Sequence, residues 1–137
     1  MTVYDSDVLS DLIFGRRGAP YNVVRSSTVP RFAAVVSVEE QLRGLLSAIK
    51  RASQSHGGYT LSETYDSLNS YMIEIARYKI LAYSTPAHEL FKSLKHLQHK
   101  VGTRDLRITS ICLAHDATLA TRNKWDFEQV PNLKLDV

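Results

Sequence analysis

The chain has 137 residues, 44% of them hydrophobic and 23% charged, with a formal net charge of +3 at neutral pH. That length suits one domain, expected to span 1–137, and the composition excludes a disordered or fibrous chain. No apolar run nears the roughly 20 residues of a membrane helix, the first residues lack the pattern of a secretory leader, and a lone Cys112 excludes an internal disulfide; a reducing cytoplasm and no membrane partner are expected.

The opening "MTVYDSDVLSDLIFG" predicts a short strand around Val3 and Tyr4, then a helix. Val8, Leu9, Leu12 and Ile13 recur at helical spacing, with Asp5 or Ser6 available as cap. A Gly/Pro-bearing link follows, then a short helix near 20–27 and a strand through "FAAVV" at 32–36. "SVEE" reads as a capping box, with Ser37 at the cap and Glu40 three residues on. Val38, Leu42, Leu45 and Ile49 then make one apolar stripe, with Leu46 beside it, until "HGG" at 56–58 turns the chain. The next helix carries Leu61, Tyr65, Leu68, Met72 and Ile75, read as a core stripe, and pairs with its predecessor as a helical hairpin.

"KILAY" at 79–83 is a strand candidate. Residues 84–100 predict one helix, started by Thr85 with Pro86 at its first position. Leu90, Phe91, Leu94, Leu97 and Val101 form its apolar side, and Lys92, Lys95, His96 and His99 the other. "GTRDLRITSICLAHD" predicts a helix capped by Thr103 and apolar enough, through Leu106, Ile108, Ile111 and Leu113, to lie deep. "ATLAT" at 117–121 and "LKLDV" at 133–137 close the series as strands. Strands alternating with helices, without hairpin turns, call for an α/β fold with a mostly parallel sheet between helices.

On this scheme Asp5, Glu40 and Asp126 follow the carboxyl end of a strand, the edge where open α/β sheets bind ligands. Asp105 joins them if its helix starts on that edge. Four gathered carboxylates repel one another unless a cation sits among them, and Mg²⁺ or Mn²⁺ prefers such hard oxygen ligands. Each acid also has a plainer role: Asp5 and Asp126 could cap helices, Glu40 completes a capping box, and Asp105 favours the positive end of a helix. Charge is uneven as well. Residues 92–107 hold Lys92, Lys95, Lys100, Arg104 and Arg107 against Asp105, and residues 16–31 hold Arg16, Arg17, Arg25 and Arg31 with no acid. Such stretches are either a solvated surface or a contact for a polyanion. His96 and His99 stand one turn apart but lack a third metal ligand, and Cys112 sits in the most apolar helix as a packed thiol.

"VYDSDVLS", "VVSVEEQLRG" and "GTRDLRITSICLAHDATLATRNKWDFEQVPNL", in that order, resemble the PIN-domain family, in particular the VapC-like toxins of bacterial toxin–antitoxin pairs. The family's opening D-T-[ND] is matched by Asp5, Ser6 and Asp7, with Ser6 keeping the hydroxyl of the usual Thr. The second acid is matched by Glu40, with Glu39 beside it as the alternative, and the helix acid by Asp105. The "T-R-N-x-x-D-F" signature is matched by Thr121, Arg122, Asn123, Asp126 and Phe127. The ending "LKLDV" departs from the acidic, aromatic ending of many relatives.

The resemblance implies a three-layer α/β/α PIN-like fold and a Mg²⁺- or Mn²⁺-dependent endoribonuclease leaving a 3′-hydroxyl and a 5′-phosphate. It implies a homodimer and a cognate antitoxin whose C-terminal segment blocks the acidic pocket, with the hairpin at 37–78 forming part of its groove. Asp5 and Asp105 are then the preferred metal ligands, completed by Glu40 and Asp126, while Ser6, Thr121 and Asn123 orient the acids or their waters. Arg104, Arg107, Lys124, Lys92 and Lys95 become candidates for the RNA backbone, and Arg122 for a phosphate or a structural partner. The alternatives are a non-catalytic binding module of this fold and a housekeeping nuclease without an antitoxin. A phosphoacceptor receiver domain would want a late lysine where Arg122 and Asn123 stand.

Overall fold

The structure, a computed structural model, describes residues 1–15, 30–54 and 58–136. The expected link and helix between 16 and 29, with Arg16, Arg17 and Arg25, and the start of the "HGG" turn lie outside the described residues. Among the described residues there are five strands: β1 (Thr2–Tyr4), β2 (Arg31–Ala34), β3 (Tyr78–Leu81), β4 (Thr118–Ala120) and β5 (Lys134–Asp136). They form one sheet in the order β3-β2-β1-β4-β5, and every pairing is parallel. β1 pairs with β2 on one side and β4 on the other, so the strand order reverses there. A crevice at the carboxyl ends of β1 and β4 is therefore where a ligand belongs.

Among the described residues seven α-helices cover the sheet: α1 (Ser6–Ile13), α2 (Val35–Ser53), α3 (Leu61–Ile75), α4 (Thr85–Ser93), α5 (Gln98–Val101), α6 (Thr103–Ala114) and α7 (Lys124–Phe127). Side chains alternate across a strand, and two hydrophobic clusters result. Val3, Ala34 and Leu81 face the cluster built on Phe91 of α4 and Leu106, Ile108 and Ile111 of α6. Ala33 and Tyr78 face the other, built on Leu9 and Ile13 of α1 and Tyr71 and Ile75 of α3. The expected α/β/α layering is the fold observed.

Four boundaries differ from the sequence reading. Helix α2 begins at Val35, with Ala34 at its cap and no side-chain cap bond, so "SVEE" is not a capping box. Val36 is drawn into the core, and Ser37, fully buried, instead accepts a hydrogen bond from the Ser6 hydroxyl at 3.2 Å. Ser84, not Thr85, caps α4 by accepting from the Ala87 N–H. The long helix breaks after Ser93 into a 3₁₀ turn at Lys95–Leu97 and then α5, which brings Val101 into the core. Gly102, at φ +90°, caps α6 where Thr103 was expected; a side chain there would be strained.

Helix α3 also turns its face. Leu61, Tyr65 and Met72 are exposed, and the buried line is Thr64, Tyr71 and Ile75. That line lies about 50° around the helix from the predicted stripe. The Thr60–Glu63 capping box fixes the helix start, and Tyr71 packs fully buried with its ring stacked on Phe14 at 6.1 Å between centroids.

Candidate active site

β1 ends in Asp5, whose backbone N–H donates to the Ala120 carbonyl at 3.0 Å, tying the ends of β1 and β4 together. Its Oδ1 accepts the Val8 N–H at 2.9 Å and so caps α1, while its Oδ2 accepts the Thr121 hydroxyl. Thr121 is itself held: its oxygen accepts the Asn123 N–H at 2.9 Å. The Asn123 amide in turn donates to Asp126 at 2.7 Å. The polarity after the "ATLAT" strand is thus a hydrogen-bonded chain that fixes two carboxylates, one of them buried.

Four acids, Asp5, Asp7, Glu40 and Asp105, face a cavity of about 220 Å³, with Ser6, Asn123 and Phe127 completing its wall. Helix α6 does start on this edge, and Asp105 lies in its first turn. Asp126 does not line the cavity; Asn123, which holds it, does. Of the two neighbouring glutamates, Glu40 faces the cavity, while Glu39 pairs with Arg43 on the surface.

Burial pushes the Asp105 carboxyl up to about 6, and the negative charges of Asp5, Glu40, Asp126 and Asp7 add to the effect. No hydrogen bond or ion pair to Asp105 occurs among the described residues. Burial also raises Asp5, opposed by the hydrogen bonds from Thr121 and Val8. The two acids differ in kind: Asp5 is solvated by the protein, and Asp105 is left crowded.

The basic candidates are mostly engaged. Arg104 pairs with Glu40 at 3.0 Å, across the mouth of the same site. Arg122 pairs with Asp11 at 2.7 Å, a structural partner, and Lys124 with Glu128 at 3.4 Å. Lys92 pairs with Glu89 at 3.0 Å, and Arg107 lies over the Phe91 ring at 5.4 Å. Lys95 has no such partner among the described residues.

Two residues at the site carry no role in the sequence reading. Asp7 lines the cavity, and its spacing of two from Asp5 was the available signal. Gln41 donates to the Ser6 carbonyl at 3.4 Å while its own buried amide oxygen has no partner among the described residues; nothing in the pattern of α2 marked it.

The donors facing the cavity are carboxylate, hydroxyl and amide oxygens, the ligand chemistry of Mg²⁺ or Mn²⁺. Among the described residues no three acids converge tightly enough to form a closed ligand cluster. The uncompensated charge on Asp105 fits such a cation.

By sequence, the chain matches no protein-family model and no curated protein. By structure, it is similar to a chain of VapBC2 from Rickettsia felis bound to a DNA fragment from their promoter, at 20% identity and a TM-score of 0.66 over 98% of this chain and 96% of that one. It is similar to FitAcB from Neisseria gonorrhoeae at 15% identity and a TM-score of 0.71, over 100% of this chain and 97% of the other. A toxin–antitoxin complex from Klebsiella pneumoniae aligns at 19% identity and a TM-score of 0.61, over 100% and 97%. The fold of this chain is therefore the three-layer α/β/α, PIN-like fold that it shares with these structures.

Proposed function

We propose that this chain is a metal-dependent endoribonuclease, the toxin of a toxin–antitoxin pair, acting as one domain over 1–137. The observation that carries the reading is Asp105, half-buried beside other acids and without a counter-charge of its own among the described residues. A protein gains nothing in stability from such a group, so the crowding points to a cation that the site exists to hold. The fold's likeness to toxin–antitoxin structures supports an antitoxin as partner, and the site's position at the strand ends supports catalysis there. A homodimer and a cytoplasmic setting belong to the same proposal.

Asp5 and Asp105 would hold Mg²⁺ or Mn²⁺, with Glu40 and Asp126 completing the site directly or through water. The cation supplies Lewis-acid charge to the phosphodiester and to the water that attacks it. Thr121 and the α1 backbone fix the orientation of Asp5, so its carboxylate does not have to reorganise when substrate arrives. Asn123 does the same for Asp126. Arg104 keeps Glu40 from adding its full charge to the crowd and presents a guanidinium at the mouth, where an RNA phosphate would enter.

The test incubates purified protein with structured RNAs in EDTA, Mg²⁺ or Mn²⁺, beside Asp5→Asn and Asp105→Asn. Cleavage is expected only with metal, and each variant should lose about 10²–10³-fold in rate. Mg²⁺ should also raise the melting temperature of the wild type but not of Asp105→Asn, by mass action on the folded state. Equal cutting by all three proteins, or cutting that survives EDTA, would refute the assignment.

A further inference from the structure

The acidic cavity poses a problem for its own substrate, because it repels a polyanion. Positive charge nearby must offset that repulsion, yet five of the six cations nominated from sequence are occupied by an acid or a ring within the fold. The exception is Lys95. It lies on the 3₁₀ turn between α4 and α5 and opens onto a second cavity of about 600 Å³. Its wall is Lys95, His96, Gln98, His99, Gly102 and Thr103, with no acid among them.

The geometry points to this cavity as the seat of a phosphate of single-stranded RNA that flanks the cleaved bond, an assignment that rests on the nuclease reading above. Lys95, His96 and His99 are all exposed, and their side chains make no hydrogen bond or ion pair among the described residues. An ammonium and two imidazoles each have an N–H to donate to phosphate oxygen. The first turn of α6 offers backbone N–H groups without a side-chain cap to consume them, in support of the three side chains.

Placement links the two cavities. Thr103 lines the basic one and Asp105 the acidic one, two residues apart in the first turn of α6 and so about 200° apart around it. One strand crossing the start of α6 would lay one phosphate among the acids and another, further along, in the basic cavity. Lys95 and His96 come from the 3₁₀ turn, His99 from α5 and Gly102 from the cap of α6, and together they line the one opening.

The test measures binding of a fluorescein-labelled single-stranded RNA by anisotropy over a series of KCl concentrations, with Asp105→Asn as the parent so that the RNA stays intact. The triple variant Lys95→Gln/His96→Gln/His99→Gln in that background should bind about tenfold more weakly. Its log–log salt slope should be shallower by about 0.7, the value for one phosphate on a single strand. Circular dichroism checks its fold, and Lys95→Gln alone, expected to lose affinity in the same direction, serves if the triple variant misfolds. Affinity and slope equal to the parent's would overturn the assignment, as would an absence of RNA binding by either protein. A variant that loses affinity for polyglutamate but keeps it for RNA overturns it in favour of an acidic protein partner. The two readings fail separately: a wild type that cuts no RNA sinks the nuclease, whereas a cutting enzyme whose basic-cavity variant binds like its parent sinks only this inference.

Discussion

The two helical layers treat their apolar residues differently. On the face covered by α4 and α6, Leu106, Ile108, Ile111 and Cys112 are fully buried, and even the polar Thr109 and Ser110 are enclosed. On the other face, the hairpin of α2 and α3 buries one narrow line and leaves Leu46, Leu61, Tyr65, Met72 and Ile73 exposed. An apolar groove of about 400 Å³ runs along α2, lined by Val35, Val38, Leu42 and Leu46 with Glu39 and Arg43 at its side. The site draws acids from both layers. Asp105 comes from the enclosed one, where its carboxyl can be crowded without moving away, and Glu40 from the hairpin, where Arg104 must hold it. The lesson is that rigidity and accessibility are split between layers, and the acidic cavity lies on the seam.

If that contrast is real, truncation in the enclosed layer should have the largest effect on stability. Ile108→Ala is expected to cost about 3 kcal/mol, the sum of lost burial and a cavity that neighbours cannot collapse into. Urea unfolding measures it, and a cost under about 1 kcal/mol would mean that the layer repacks freely. Next comes Thr121→Val, which keeps shape but removes the hydroxyl between Asp5 and the Asn123 N–H. The loss should be about 1–2 kcal/mol. The Asp5 carboxyl should also rise further, because the Thr121 bond is the largest influence holding it down. A variant as stable as the wild type would deny Thr121 its fixing role.

The sheet and most helices were legible because their signals are local. Val3 between Thr2 and Tyr4, and the Leu106–Ile108–Ile111 run, have only one good way to be buried. The errors fall where a partner distant in sequence decides. Ser37 looks like a cap until Ser6, 31 residues away, takes its hydroxyl. The stripe from Leu61 to Ile75 was well formed, but Phe14 and α1 select Tyr71 and rotate the helix. At the site, Asp5, Glu40 and Asp105 meet at one cavity as their places after strands and at helix starts suggested. The pairings of Arg104, Arg122 and Lys124 were not legible, since a cation in sequence gives no sign of which acid it will find.

Acidity sharpens the comparison from the side of charge. The folded state raises Asp105 from 3.8 to about 6 and so holds its proton more tightly than the unfolded chain does. Its contribution to stability is then fully present below about pH 4 and lost as pH rises through about 6. Taken at face value the displacement is worth about 3 kcal/mol. Solvent still reaches this half-buried carboxylate and screens it, so about 1 kcal/mol is expected. In EDTA, Asp105→Asn should therefore be more stable than the wild type by about that amount at pH 7.5, and the gap should narrow as pH falls through about 6 and close by about pH 4. A constant gap across that range would remove the crowding on which the metal argument stands.

The smallest effect belongs to the open layer. Met72→Ser and Leu46→Ser replace exposed apolar groups on the outer side of the hairpin, where little area leaves water on folding. Each should change stability by less than about 0.5 kcal/mol. Tyr71→Phe, on the inner line of the same helix, supplies the control. Its hydroxyl is buried with no partner among the described residues, and burial pushes it up to about 12, so removing it should be neutral or slightly stabilising. Loss of 2 kcal/mol or more from Met72→Ser would show that the outer side is packed in the isolated chain. The difference between the layers would then be one of degree, and the seam between them would lose its claim to place the site.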